Sequence, residues 1–169
     1  MNVTSKAVSG IGMITAVGND KETAFKAICD GERGIDTITL FDPEAYSAKI
    51  AGEVKDFNFD GYASPKEARK MARFVRFAAV AAKEAFDSYG IDMSKEDPFR
   101  VGVMIGYGVG SLIVLQEQCK IYETKGPSRI SPLMIPMLIV NEAAGNVSIL
   151  LGAKGPNSCV ATACAKIPF

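Results

Sequence analysis

Histidine is absent from all 169 residues of this sequence. A cysteine nucleophile commonly gives its proton to a histidine or relies on one to stabilise its thiolate. This chain cannot supply that partner, nor any of the usual histidine-containing zinc sites. The four cysteines, Cys29, Cys119, Cys159 and Cys164, make no C-x-x-C pair. Scattered in this way they suggest no four-thiolate metal site, and reduced thiols in a cytoplasmic setting are expected. Neither sign of charge is in excess, with 19 basic and 19 acidic residues. That gives no support for bulk binding to nucleic acid or to an anionic membrane. The longest uncharged run of interest, residues 101–116, is broken by four glycines and is too short for a membrane-spanning helix. The opening "MNVTSK" lacks a basic segment followed by an apolar one, so no signal peptide is expected. There is no repeat, low-complexity tract or convincing linker.

What is present fits one α/β domain. Composition is ordinary for a globular protein, 48% hydrophobic and 22% charged, and the length suffices for a core. A short apolar strand is expected over residues 6–11. Asn19 with Glu22 then reads as the capping box of a helix that buries Ala24, Phe25, Ala27 and Ile28 and stops at Gly31. Residues 34–60 read as loops with short strand pieces. The strongest helical pattern covers residues 65–89: Ser64 caps it, Pro65 suits the first turn, Glu67 completes the box and Gly90 ends it. A strand over 100–105 leads through "GYGVGS" into a helix near 111–123. "SPLMIPM" reads as a proline-broken apolar loop, residues 140–151 as a helix ending at Gly152, and 158–163 as a last strand, buried at its end. Strands alternating with helices predict a layered α/β fold with a mainly parallel sheet and helices on its faces.

Three stretches could carry chemistry. Cys164 follows the last expected strand, where α/β ligand sites usually lie. A helix starting there would favour its thiolate. On the residues alone, a small buried core cysteine is the favoured reading. Cys159, mid-strand, is the poorer nucleophile. "GYGVG", residues 106–110, could cradle a phosphate, but it departs from G-x-G-x-x-G and has no acidic residue about 20 positions on. A tight turn that lets backbones pack closely is its other reading. Lys66, Arg69, Lys70, Arg73 and Arg76 fall within an arc of about 120° at the helical period. They read either as a docking stripe for an acidic partner or as a solvated helix face.

Taken together, "GIGMITAVGND", "FDPEAYSAKIAGEVKDFN", "KEARKMARF", "VGVMIGYGVG", "ISPLMIPMLIVNEAAGNVSILLGAKGPN" and "ATAC" resemble, in order, the β-ketoacyl-acyl-carrier-protein synthases. They are most similar to the type II elongation enzymes of bacterial fatty acid synthesis. The resemblance runs from about Val8 to Cys164. It implies the thiolase-like fold, with residues 1–169 as its N-terminal half. It implies an acyltransferase activity: acyl transfer to a cysteine, then decarboxylative Claisen condensation with malonyl-carrier protein. Cys164 matches the acyl-accepting cysteine, and its amide matches one oxyanion-hole donor. Val109 matches the gate of the acyl pocket. Leu133 and Met134 match a segment that reaches the neighbouring subunit's pocket in a homodimer. Lys66, Arg69 and Lys70 match the patch that receives the acidic carrier protein, with Arg129 as an addition. No metal or organic cofactor is implied, because the substrate arrives on the carrier protein's phosphopantetheine.

The departures matter as much. The family's two catalytic histidines and its lysine belong to the second half of the fold. After the cysteine the family continues with small residues opening a helix. Ala165 fits this, whereas Lys166, Ile167, Pro168 and Phe169 do not. The expectation is a chain truncated just after the nucleophile motif and inactive alone. The competing reading is a non-enzymatic split half or remnant that binds only a complementary chain or carrier protein. A silent chain-length factor fits less well because Cys164 is kept. A coenzyme A-dependent thiolase or chalcone-synthase type fits less well because of the basic patch.

Overall fold

The computed structural model describes residues 7–162. Its elements in order are α1 (Lys21–Cys29), β1 (Ile35–Thr37), β2 (Ile50–Gly52), α2 (Pro65–Ala68), α3 (Arg73–Tyr89), a 3₁₀ turn (Pro98–Arg100), β3 (Val103–Gly106), α4 (Leu112–Lys125), a second 3₁₀ turn (Pro127–Arg129), α5 (Met134–Leu138), α6 (Glu142–Leu151) and β4 (Asn157–Val160). The chain forms two compact units. One holds the residues up to Asn58 with Val80–Gly90, and the other holds Phe59–Ala79 with the residues from Ile91 onward.

In the first unit, β1 and β2 pair antiparallel, with Asp36 opposite Ala51, so the expected strand pieces are present. The strand expected over 6–11 is not: its described part, from residue 7, has no partner strand. Its glycines explain why. A Cβ on Gly10 would lie 2.1 Å from the Ala85 carbonyl oxygen and one on Gly12 1.9 Å from that of Ala81, so this segment packs flat on α3. Glu84 of α3 fastens it, accepting from the backbone N–H of Met13 and of Lys21 at 2.9 Å each. The helix cap is Asp20 rather than Asn19. Asp20 accepts from the Thr23 amide at 2.8 Å, which holds its carboxyl below the usual carboxylate range. Asn19 instead spends its amide N–H on the Lys55 carbonyl at 2.8 Å. α1 buries Ala24 and Ala27, while Phe25 and Ile28 face outward, 65% and 55% exposed. The two alanines thus supply its whole inward surface in this unit.

In the second unit, β3 and β4 pair parallel, with Ile105 opposite Cys159 and Gly106 opposite Val160. α4, α5 and α6 make the crossover that a parallel pair requires. The parallel sheet therefore consists of two strands among the described residues and is separate from the antiparallel one. Ala72, Val75, Val114 and Ala143 form the core, with Met71, Phe74, Ile105 and Met137 packed around it. Asn157 ties β4 to α6, donating to the Ala144 carbonyl at 2.8 Å and to Ser148 Oγ at 2.6 Å.

Four further expectations are corrected here. The single helix over 65–89 is two, α2 and α3, because the chain breaks after Ala68 and Arg76 takes up the freed carbonyls. The strand expected from Arg100 starts at Val103, since Pro98–Arg100 winds into a 3₁₀ turn capped by the Asp97 carboxylate. "SPLMIPM" runs into α5 from Met134, because Pro136 falls within the first turn, where a missing N–H costs nothing. β4 ends at Val160 with Ala161 and Thr162 exposed, and Ala163 lies outside the described residues. The buried strand end is therefore not seen. No helix among the described residues is long and apolar enough to cross a membrane.

Candidate functional site

The carboxyl end of the parallel pair gathers the turn after β3 and the exit from β4. The Tyr107 amide donates to the Val160 carbonyl at 2.9 Å and extends the ladder past Gly106. Residues 106–110 then turn sharply into α4, whose cap is the buried Ser111, accepting from the Val114 amide at 3.4 Å. Gly110 has φ +86°, and a Cβ there would sit 2.5 Å from the Leu138 carbonyl oxygen. The turn is thus pressed against the end of α5, and glycine is required for both reasons. Val109, at its tip, is 71% exposed. Leu133 caps α5 and Met134 begins it, both half-buried. The structure therefore brings the Val109 turn, α5 and the β4 exit to one end of the sheet. Cys164 and the tail after it lie outside the described residues. Cys159 lies within β4, half-buried.

Tyr107 braces this turn. Its ring stacks on Phe74 with centroids 4.3 Å apart, and its hydroxyl donates to the Gly110 carbonyl at 3.2 Å. Burial pushes its hydroxyl pKa up. Sequence reading passed over Tyr107. The tyrosine between two glycines was the available signal, because a large ring with a polar tip tends to pack and to find a hydrogen-bond partner.

The expected docking cations sit elsewhere in the same unit. Lys66 lies on α2, with Arg69 and Lys70 in the turn that closes it, and all three are exposed. Ser64 and Glu67 form a complete capping box at its start: the Ser64 amide donates to Glu67 Oε2 at 3.0 Å and the Glu67 amide donates to Ser64 Oγ at 3.3 Å, with the Ser64 hydroxyl donating to Glu67 Oε2 at 2.6 Å as well. The Ser64 hydroxyl and amide hold the Glu67 carboxyl below its ordinary value. Arg73 and Arg76 belong to α3, so the five cations do not form one stripe on one helix. Arg73 lies over the Phe77 ring at 5.1 Å. Arg129 is exposed at the end of the second 3₁₀ turn and borders an open groove of about 580 Å³ with Ile121 and Lys125.

Two features were not anticipated. Glu142, first residue of α6, is half-buried; its Oε2 is enclosed without a partner, and burial pushes its carboxyl up to about 7. A cavity of about 410 Å³ in the first unit is lined by Thr15, Asn19, Thr23, Arg33 and Lys55 among others. It contains none of the candidate catalytic, substrate-binding or docking residues read from the sequence. Among the described residues no cluster of three or more cysteine or carboxylate side chains is arranged to hold a metal ion.

Comparisons with known proteins agree with the fold. The family description "Beta-ketoacyl synthase, N-terminal domain" matches residues 5–166. A 3-oxoacyl-[acyl-carrier-protein] synthase 2 of Staphylococcus aureus is 44% identical over 158 residues, covering 94% of this chain and 39% of that protein. The protein of the same name from Synechocystis is also 44% identical, over 94% of this chain and 38% of its own length. The chain thus spans about two fifths of the length of the curated relatives it matches. Among solved structures, the ishigamide ketosynthase/chain length factor superposes with a TM-score of 0.77 at 24% identity, over 94% of this chain and 40% of that one. A type II polyketide ketosynthase, solved in complex with its acyl-carrier protein, superposes with a TM-score of 0.70 at 22% identity, over 86% and 38%. These two likenesses show the thiolase-like α/β fold of the ketosynthases, and the family match adds the lineage: the chain belongs to the β-ketoacyl synthase family.

Proposed function

We propose that this chain supplies the cysteine-bearing, N-terminal half of a 3-oxoacyl-acyl-carrier-protein synthase of fatty acid biosynthesis. The observation that carries the reading is the meeting of the Val109 turn, α5 and the exit of β4 at one sheet end, with the Ala161–Cys164 motif following directly in sequence. In this reading the Cys164 thiolate attacks the thioester carbonyl of an acyl group on the carrier protein's phosphopantetheine. The tetrahedral oxyanion is held by backbone N–H groups, that of Cys164 among them, worth about 3 kcal/mol for one donor. Collapse expels the phosphopantetheine thiolate and leaves the acyl group on Cys164. Malonyl-carrier protein then loses carbon dioxide. Its enolate attacks the acyl carbonyl, the new carbon–carbon bond forms, and Cys164 leaves as thiolate. No metal or organic cofactor enters these steps.

Val109 gates the acyl pocket, and Leu133 with Met134 lines the approach to a neighbouring subunit's pocket in a cytoplasmic homodimer. Lys66, Arg69 and Lys70, with Arg129, receive the acidic carrier protein. The ketosynthase relative solved with its own carrier protein supports that partner class. The histidines and lysine that serve the decarboxylation and condensation lie outside these 169 residues, so this chain alone does not condense.

One alternative is a half that only binds a complementary chain or carrier protein. A condensation assay with acyl- and malonyl-carrier proteins separates the two. The enzymatic reading expects no product from this chain alone and product when a polypeptide bearing the family's C-terminal half is added. Binding to that polypeptide without any turnover would favour the alternative. Steady turnover by the chain alone would contradict both.

A further inference from the structure

Arg76 occupies the place of a fifth cation in a surface stripe, yet its guanidinium is directed into the protein. Its Nη2 donates to the Ala68 carbonyl at 2.7 Å and its Nε to the Met71 carbonyl at 3.1 Å. The same guanidinium lies 6.0 Å from the centre of the Phe59 ring. Ala68 closes α2, and Met71 belongs to the short step between α2 and α3.

The end of a helix leaves carbonyls without intrahelical partners. Here the last turn of α2 tightens, with the Lys70 amide donating to the Glu67 carbonyl at 2.9 Å and the Met71 amide to that of Ala68 at 3.2 Å. A helix of four residues has little stability of its own. α3, with 17 residues and with Val75 fully buried in the core, is the stable neighbour. The Arg76 fork reaches back from α3 to the carbonyl that ends α2, that of Ala68, and to that of Met71 in the step after it. A lysine carries the same charge but lacks the planar fork that bonds both at once.

We propose that Arg76 is a positioning residue for carrier-protein docking: it locks the end of α2 so that Lys66, Arg69 and Lys70 are presented in one fixed arrangement. The inference rests on the docking reading given above. Cations already held in place lose less freedom when a partner binds, so the lock strengthens binding without touching the partner.

Arg76→Lys separates this role from that of a fifth docking charge, because it leaves net charge unchanged. The full chain is titrated with holo acyl carrier protein at low salt, and hydrogen exchange is followed over residues 66–72. The expected result is affinity about fivefold to tenfold weaker, with faster exchange across the step. Arg76→Gln, which keeps one donor, is expected to weaken binding as well. Wild-type affinity or unchanged exchange in Arg76→Lys, alongside a weakened Arg69→Glu, would overturn the inference and leave the docking reading intact. If Arg69→Glu also binds as wild type, the docking reading fails and this inference falls with it. If both Arg76 variants lose cooperative thermal unfolding, Arg76 is a general determinant of the fold and the positioning role is overturned.

Discussion

Phe74 on α3 and Tyr107 at the end of β3 stack with ring centroids 4.3 Å apart and planes 29° from parallel. Through the Tyr107 hydroxyl on the Gly110 carbonyl, this pair transmits the position of α3 to the Val109 turn. Tyr107→Phe removes only the hydroxyl and is expected to cost about 1 kcal/mol. Tyr107→Ala also removes the stacked ring and is expected to cost about 3 kcal/mol or more. Urea unfolding of the two variants checks the order. Equal costs would show that the ring does not brace the turn.

Glu84 holds two amides that are far from it in sequence, those of Met13 and Lys21. Glu84→Ala leaves both donors without their acceptor and is expected to destabilise by about 2–3 kcal/mol. Glu84→Gln keeps one acceptor oxygen and loses less. Exchange protection of the Met13 and Lys21 amides is expected to fall in Glu84→Ala before that of α6 changes.

Glu142 makes stability depend on pH in the direction opposite to the capped carboxylates. Its folded pKa, about 7, lies above its ordinary value of 4.5, so the folded state binds the extra proton between those values. Its contribution is fully present below about pH 4.5 and is lost as pH rises through about 7. Glu142→Gln is therefore expected to be near neutral at pH 4.5 and stabilising at pH 8, by about 1–2 kcal/mol once solvent screening of a half-exposed group is allowed for. Asp20 and Glu67, held low by Thr23 and Ser64, behave in reverse: their contribution is present above their ordinary values and is lost as pH falls. Denaturation midpoints of the wild type and Glu142→Gln across this range check the sign. Parallel curves would remove Glu142 as the cause.

Arg69 is exposed on the face assigned to the carrier protein. Arg69→Glu is expected to weaken carrier binding by about threefold to thirtyfold. Raising the salt is expected to weaken the wild type too, because exposed charges are screened beyond about 8–10 Å. Affinity indifferent to both perturbations in a folded variant would remove this face from the docking surface.

How far the sequence was legible varied with the physics of each element. The Ser64–Glu67 box, the α4 start at Ser111 and the α6 end at Gly152 were readable because caps are local chemistry. The break between α2 and α3 was not, because it depends on the Arg76 side chain reaching back eight residues to Ala68. The N-terminal segment misread as a strand owes its course to glycines packed on Ala81 and Ala85, a contact made across about 70 positions. Asn19 read as the cap of α1, but its amide is spent on the Lys55 carbonyl, a long-range bond, and Asp20 caps the helix instead. The turn of Val109 was legible as a turn. Its brace by Tyr107 and its contact with Leu138 were tertiary facts. The Cys164 assignment came from the ordered set of motifs, and it falls outside the described residues.

Acyl transfer to Cys164 tests the central claim most directly. The chain is combined with a polypeptide bearing the family's C-terminal half, incubated with acyl-carrier protein and analysed by intact mass and peptide mapping. The account predicts one acyl adduct, on the peptide containing Cys164, absent from Cys164→Ala and retained in Cys159→Ala. An adduct on Cys159 or Cys119, or no adduct on a folded complex that binds the carrier protein, would contradict it.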